Sequence, residues 1–132
     1  MDRSKSLEEL EGDVWPYNDF GSHVVQESQR LRKVPVGELT VEDLRLLIGQ
    51  AIGLAHLVPL AIEHLSADPL VAGAYYRGDL MSVVLALPEE FWASHPGLNN
   101  ELVEIGTELS LIQETISDNL LPAIKKFQFR NA

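Results

Sequence analysis

Leu98, Leu102, Ile105, Leu109, Ile112 and Ile116 recur at alternating intervals of four and three residues, and that spacing commits the stretch to a helix. At about 3.6 residues per turn such positions stack into one apolar stripe. A half-buried strand would need strict alternation of apolar and polar residues, and no part of the chain offers a convincing run of it. The stripe predicts a helix from Leu98 to Asp118. It lasts only about three heptads, which suits one member of a globular bundle better than a long coiled coil.

The rest of the chain is punctuated into shorter helices. Ser6 with Glu9 spells a capping box opening a short helix that Gly12 can close. The turn-rich aromatic run Trp15-Pro16-Tyr17-Asn18-Asp19-Phe20-Gly21 follows and is expected to anchor an irregular arm to the core. Ser22 caps a helix to about Lys33, and Thr40 with Asp43 caps another whose apolar face is Val41, Leu44, Leu47 and Ile48. A helix from Leu54 to Leu65 carries Pro59 and should bend there. Asp79 is read as the cap of a helix through Leu87, Pro88 opens a short helix through Phe91 and Trp92, and Leu120 to Phe129 forms the last. The expectation is an all-α fold, a single-domain compact multi-helix bundle. Residues 1–21 form its N-terminal helix and arm, and residues 22–132 the helical domain. Leu44, Leu47, Ile48, Leu102, Ile105, Leu109 and Ile112 are its expected core.

A chain of 132 residues with 45% hydrophobic residues can bury such a core as one domain. It has no cysteine, which excludes a disulfide framework, thiolate zinc sites and cysteine nucleophiles, and fits a reducing cytosol. The first residues lack the apolar stretch of a signal peptide. The longest uncharged run, Leu46 to Ile62, is interrupted by Gln50, His56 and Pro59 and falls short of the roughly 20 apolar residues of a membrane span. A cytoplasmic protein is expected.

The net charge of −10 argues against nucleic acid and anionic membranes as direct partners, because both are held by Lys and Arg. The charge is also uneven: 13 acidic residues lie between Glu38 and Asp118 against only Arg45 and Arg77. Glu101, Glu104 and Glu108 form a ridge beside the apolar stripe, with no Lys or Arg between Arg77 and Lys125 to neutralise them. Like charges at this spacing cost a helix a few tenths of a kcal/mol each, as a docking surface for a basic partner would. A merely solvated face would look the same.

Catalytic chemistry finds little support. His56 and His64 stand eight residues apart, beyond the usual three-to-five spacing of ligands that share a metal on one helix. No nucleophile motif or phosphate loop occurs, so no catalytic residue, cofactor or metal is expected. A small enzyme using Glu63, His64 and Glu90 remains an alternative, as does an acidic regulatory or structural subunit that binds an endogenous basic partner. Arg77-Gly78-Asp79 is read as a turn entering a helix, not as an adhesion motif.

The segment Leu39-Thr40-Val41-Glu42-Asp43-Leu44-Arg45-Leu46-Leu47-Ile48-Gly49-Gln50 resembles the opening motif of contact-dependent growth inhibition immunity proteins. The resemblance continues through Leu57-Val58-Pro59-Leu60-Ala61, Asp68-Pro69-Leu70, Tyr76-Arg77-Gly78-Asp79-Leu80 and Leu87-Pro88-Glu89-Glu90-Phe91-Trp92. It implies a bacterial cytoplasmic protein that neutralises the C-terminal toxin domain of an exoprotein delivered by neighbouring cells. The toxin it implies is a basic nuclease, a ribonuclease of ribonuclease A-like form, bound by a monomer one to one. The matched residues are mostly apolar, turn or cap residues and look like determinants of the fold. The toxin-binding candidates are therefore surface residues: Glu101, Glu104, Glu108 and Asp118, with Asp68, Tyr75 and Tyr76.

Overall fold

Two reciprocal capping boxes set the frame of the structure, a computed structural model that describes residues 1–132. Ser6 accepts from the Glu9 N–H and Glu9 returns the bond, opening α1 (Leu7–Glu11), which Gly12 closes in the left-handed conformation. Thr40 and Asp43 do the same for α3 (Val41–Gly49). Ser22 caps α2 (His23–Leu31). A 3-10 turn, Val36–Glu38, joins α2 to α3. Then follow α4 (Leu54–Ala67), α5 (Asp79–Leu85), α6 (Glu89–Ser94) and α7 (Pro96–Thr115). Beyond α7 a π turn, Ile116–Leu120, leads into α8 (Leu121–Ile124). Two isolated bridges, Ser6 with Pro35 and Ala72 with Arg77, are the only extended pairings. The fold is all-α, as expected.

α4 runs through the middle, packed on α3, α5 and α7. Leu57, Val58, Leu60, Ala61, Ile62 and Leu65 of α4 are all buried, a wide apolar face, while Ala55, Glu63, His64 and Ser66 keep the opposite side in water. Leu44, Leu47 and Ile48 of α3, Leu80, Met81 and Val84 of α5, Trp92 of α6 and Ile105 of α7 close around it. Leu7 of α1 reaches the same cluster. Pro59 sits inside α4 without ending it. The missing N–H would have served the Ala55 carbonyl, and Ala55 is exposed to water.

The aromatic arm is tied to α2 more than to the core. The Trp15 ring covers the Arg32 guanidinium at 4.0 Å. The Asn18 carbonyl accepts from Gln26 at 3.1 Å and from Gln29 at 2.8 Å. Tyr17 and Phe20 remain exposed. Arg32 itself is only 2% exposed; its ion pair with Glu11 and its bond to the Asp13 carbonyl offset the cost of burying the charge.

The C-terminal third departs most from expectation. α7 starts at Pro96, in the first-turn position where a missing N–H costs nothing. Of the stripe, only Ile105 is buried; Leu102 and Leu109 lie against the core half-buried, and Ile112 falls outside it. The reason is length: α7 outruns the bundle, and a stripe can be buried only where something faces it. The last helix is also shorter than Leu120 to Phe129. Pro122 cannot donate to the ladder, the turn before it widens, and Leu121 N–H reaches Ile116, five residues back. Phe127 and Phe129 stand exposed beyond the helix.

Candidate functional site

α4 ends against the flank of α7, and that junction gathers the acidic ridge into a groove. The Asp68 N–H donates to His64 at 2.9 Å, and its carboxylate accepts from the Leu70 N–H at 3.0 Å. This local turn carries the chain across α7. Ser66, Ala67 and Pro69 form one wall of a groove of about 330 Å³; Glu101, Glu104 and Glu108 form the other, over Ile105. All three carboxylates are exposed and none is ion-paired. A second groove of about 280 Å³ continues along α7 between Leu70, Leu109, Ile112 and Ile116. Asp68 sits in the turn that forms the wall, and Asp118 stands exposed on the π turn beyond.

Tyr75 and Tyr76 belong to a different structure, the loop between α4 and α5. Both rings are exposed, yet the loop backbone is tightly held. Asp79 is buried and accepts N–H bonds from Gly73 at 2.6 Å, Tyr75 at 3.0 Å and Tyr76 at 3.3 Å. Glu42 accepts from the Ala74 N–H at 2.8 Å and from Arg45 at 2.6 Å. The Arg45 guanidinium covers the Tyr75 ring at 4.4 Å, and the Tyr76 hydroxyl donates to Ser82 at 2.9 Å. Burial pushes the Asp79 carboxyl up, but the three N–H bonds outweigh it and hold the group below its ordinary range. The Arg45 hydrogen bond holds Glu42 low in the same way.

Asp79 is thus not the cap of α5, as the sequence suggested. It is the first helical residue, Gly78 precedes it with φ of 95°, and its carboxylate turns back to the loop. A helix entered from the left-handed region places the side chain under the preceding turn, and only glycine enters it without strain. A Cβ on Gly73 would come within 2.5 Å of Glu42 Oε1. Sequence reasoning missed this Glu42–Arg45–Asp79 staple. Its signal was the Gly73 and Gly78 pair framing two tyrosines.

The histidines and the alternative catalytic trio are dispersed. His56 is half-buried, His64 is exposed, and His95 Nδ1 lies 2.8 Å from the Phe91 carbonyl. Glu63 is engaged by Arg3 at 2.6 Å. Glu63, His64 and Glu90 line none of the surface grooves, and no three His, Asp or Glu side chains are placed to hold a metal ion. No helix is long and apolar enough to cross a membrane.

The family model of the CDI immunity proteins matches residues 9–102, well over half of the chain. The chain belongs to the CDI immunity proteins. No curated protein and no solved structure matches it. As a family member it is a toxin-neutralising protein that binds a cognate CDI toxin, in a family that is generally non-catalytic. The matched span runs from α1 into the second turn of α7 and so contains most of the core. Tyr75, Tyr76 and Glu101 of the immunity protein lie inside it; Glu104, Glu108 and Asp118 lie beyond.

Proposed function

We propose that the immunity protein neutralises a basic ribonuclease toxin in the cytoplasm, docking it on the groove walled by Glu101, Glu104 and Glu108. The carrying observation is that these three carboxylates share one concave surface and have no cationic partner. A site that cleaves RNA must be electropositive to hold phosphate, and an unneutralised acidic wall is its complement. Asp68 and Asp118 extend the field at either side. Tyr75 and Tyr76 offer a rigid aromatic anchor whose ordering cost is met before binding. Each chain takes one toxin domain, by occlusion and without catalysis of its own.

Opposed potentials chiefly raise the association rate, towards roughly 10⁸–10⁹ M⁻¹s⁻¹ at low salt. Replacing Glu101, Glu104 and Glu108 together by Lys should slow association with purified toxin and flatten or invert its salt dependence. The fold should persist, because all three are exposed and lysine is a good helix former. An unchanged rate in a folded triple variant means that the toxin docks elsewhere.

A further inference from the structure

Between Ser6 and Ile124 the chain has five Lys and Arg residues. Four are ion-paired: Arg30 with Glu27, Arg32 with Glu11, Lys33 with Glu8 and Arg45 with Glu42. The fifth, Arg77, is exposed and pairs with no carboxylate. Its backbone is held on both sides. An isolated bridge joins Arg77 to Ala72, the Gly78 N–H donates to the Val71 carbonyl at 3.3 Å, and the Asp79 carboxylate binds the Tyr75 and Tyr76 N–H groups. The two rings before it are fixed as well, Tyr76 by Ser82 and Tyr75 by Arg45. Tyrosine and arginine are among the residue types that carry most binding energy at protein interfaces. Here Tyr75, Tyr76 and Arg77 stand in a row on a backbone that is ordered before any partner arrives.

The loop lies beside the acidic groove. Bridged Cα atoms are about 5 Å apart, and the three residues from Pro69, in the groove wall, to Ala72 span at most about 11 Å. Arg77 is therefore within about 16 Å of that wall. A standard protein interface buries about 800 Å² per partner, a disc about 16 Å in radius. A toxin domain seated on the groove with such a footprint reaches Arg77 and takes its guanidinium out of water. Left there without a partner, the charge would weaken the complex about a hundredfold or more.

We infer that Arg77 is a specificity residue of the toxin interface: its guanidinium takes a carboxylate of the toxin, and Tyr75 and Tyr76 close the pair off from water. The inference rests on the docking proposed above. The surface then presents two signs, an acidic wall for the toxin's basic site and, beside it, one cation that requires an acid at a fixed spacing. A planar guanidinium holds a carboxylate through two parallel N–H bonds, so both position and orientation are constrained. A basic ribonuclease with a neutral or cationic residue at that point is attracted by the wall and rejected by Arg77. Net charge alone cannot make that distinction.

Surface-binding kinetics of the full chain with the purified cognate toxin domain test this. Arg77→Ala should raise Kd at least about thirtyfold, through faster dissociation. Association should be no slower, because the change makes the surface more negative towards a basic partner. Attraction by net charge alone predicts tighter binding, so an unchanged or lowered Kd in a folded Arg77→Ala overturns the inference. Circular dichroism checks the fold, which should persist because Arg77 is exposed and outside the core. On the toxin, Asp and Glu residues are changed one at a time to Asn and Gln. One such change should weaken binding to the wild-type protein about as much as Arg77→Ala does, and weaken binding to Arg77→Ala little further. Arginine at that toxin position should restore binding to Arg77→Glu, which loss of folding could not do. If no acidic toxin position couples to Arg77, the inference falls. The two proposals separate by rate, since Glu101, Glu104 and Glu108 act on association and Arg77 on dissociation. Slowed association of the triple Glu→Lys variant with unchanged dissociation of Arg77→Ala keeps the groove and removes Arg77. The reverse pattern removes the groove and keeps the pair between Arg77 and the toxin.

Discussion

Replacing Asp79 by alanine strips the 72–79 loop of the one acceptor that its Gly73, Tyr75 and Tyr76 N–H groups share. A hydrogen bond to a charged group contributes about 1.5–3 kcal/mol. The three are not equal. Tyr75 and Tyr76 are exposed residues whose N–H groups can turn to water once the loop relaxes, whereas Gly73 is half-buried and makes the shortest bond. Removing the carboxylate also recovers the cost of burying it. A net loss of about 2–4 kcal/mol is expected for Asp79→Ala, and about 1–2 kcal/mol for Asp79→Asn, which keeps the shape and one acceptor oxygen. Urea unfolding followed by circular dichroism measures both. The pH dependence gives a second reading. The folded carboxyl titrates below its unfolded value of about 3.9, so its stabilisation is complete above that value and is lost as the pH falls through the folded one. The gap between wild type and Asp79→Asn should therefore be constant near neutrality and shrink below about pH 4. An Asp79→Ala variant within about 0.5 kcal/mol of wild type would refute the staple.

Other consequences follow from burial and charge. Leu47→Ala should cost about 2–5 kcal/mol, since Leu47 is fully buried, whereas Ile112→Ala, off the core, should cost under about 1 kcal/mol by the same denaturation assay. Arg32→Ala should cost about 1–3 kcal/mol by removing the donor to the Asp13 carbonyl and the stem packed under Trp15, while Glu11 turns to water, and should free Trp15, seen as a red shift of tryptophan emission. His56→Ala with His64→Ala should leave protection of toxin-expressing cells intact in a folded protein, because neither histidine belongs to any site; lost protection with normal toxin binding would reopen the catalytic alternative.

What can be read from sequence here depends on how local the cause is. Ser6–Glu9 and Thr40–Asp43 are legible because a capping box closes within one turn and needs no distant partner. The burial of Leu44, Leu47 and Ile48 follows from periodicity because α4 and α5 cover that face of α3. The same periodicity reaches only half-burial at Ile112, which shares a groove with Leu70 and meets no core residue, since a stripe states which residues share a face and not what covers it. Asp79 misleads for a related reason. An acidic residue at the start of a helix has two local explanations, and only the φ of Gly78 decides between capping forward and bonding back. Of the candidate docking residues, Glu101, Glu104 and Glu108 could be placed on one face from spacing alone. Their opposing wall of Ser66, Ala67 and Pro69 comes from a helix end more than thirty residues away.

That distance bears on how an immunity protein can change partners. The core closes over α7 as far as Leu109, and the family match ends at residue 102. From Leu102 onwards the α7–α8 rod carries Glu104, Glu108 and Asp118 and the exposed Ile116, Leu121 and Ile124, with Glu101 just inside the match. On the docking proposed above, substitutions on this rod alter recognition at little cost in stability, since they leave Leu44, Leu57, Leu65 and Leu80 untouched. The Tyr75–Tyr76 loop is the opposite case. Its backbone is bonded to Glu42 and Asp79, and both carboxylates belong to helices that pack the core. Its side chains can vary, but its shape cannot without loosening α3 against α5. On the docking proposed above, the core holds the shape of the Tyr75–Tyr76 loop while the charged rod is free to change with the toxin.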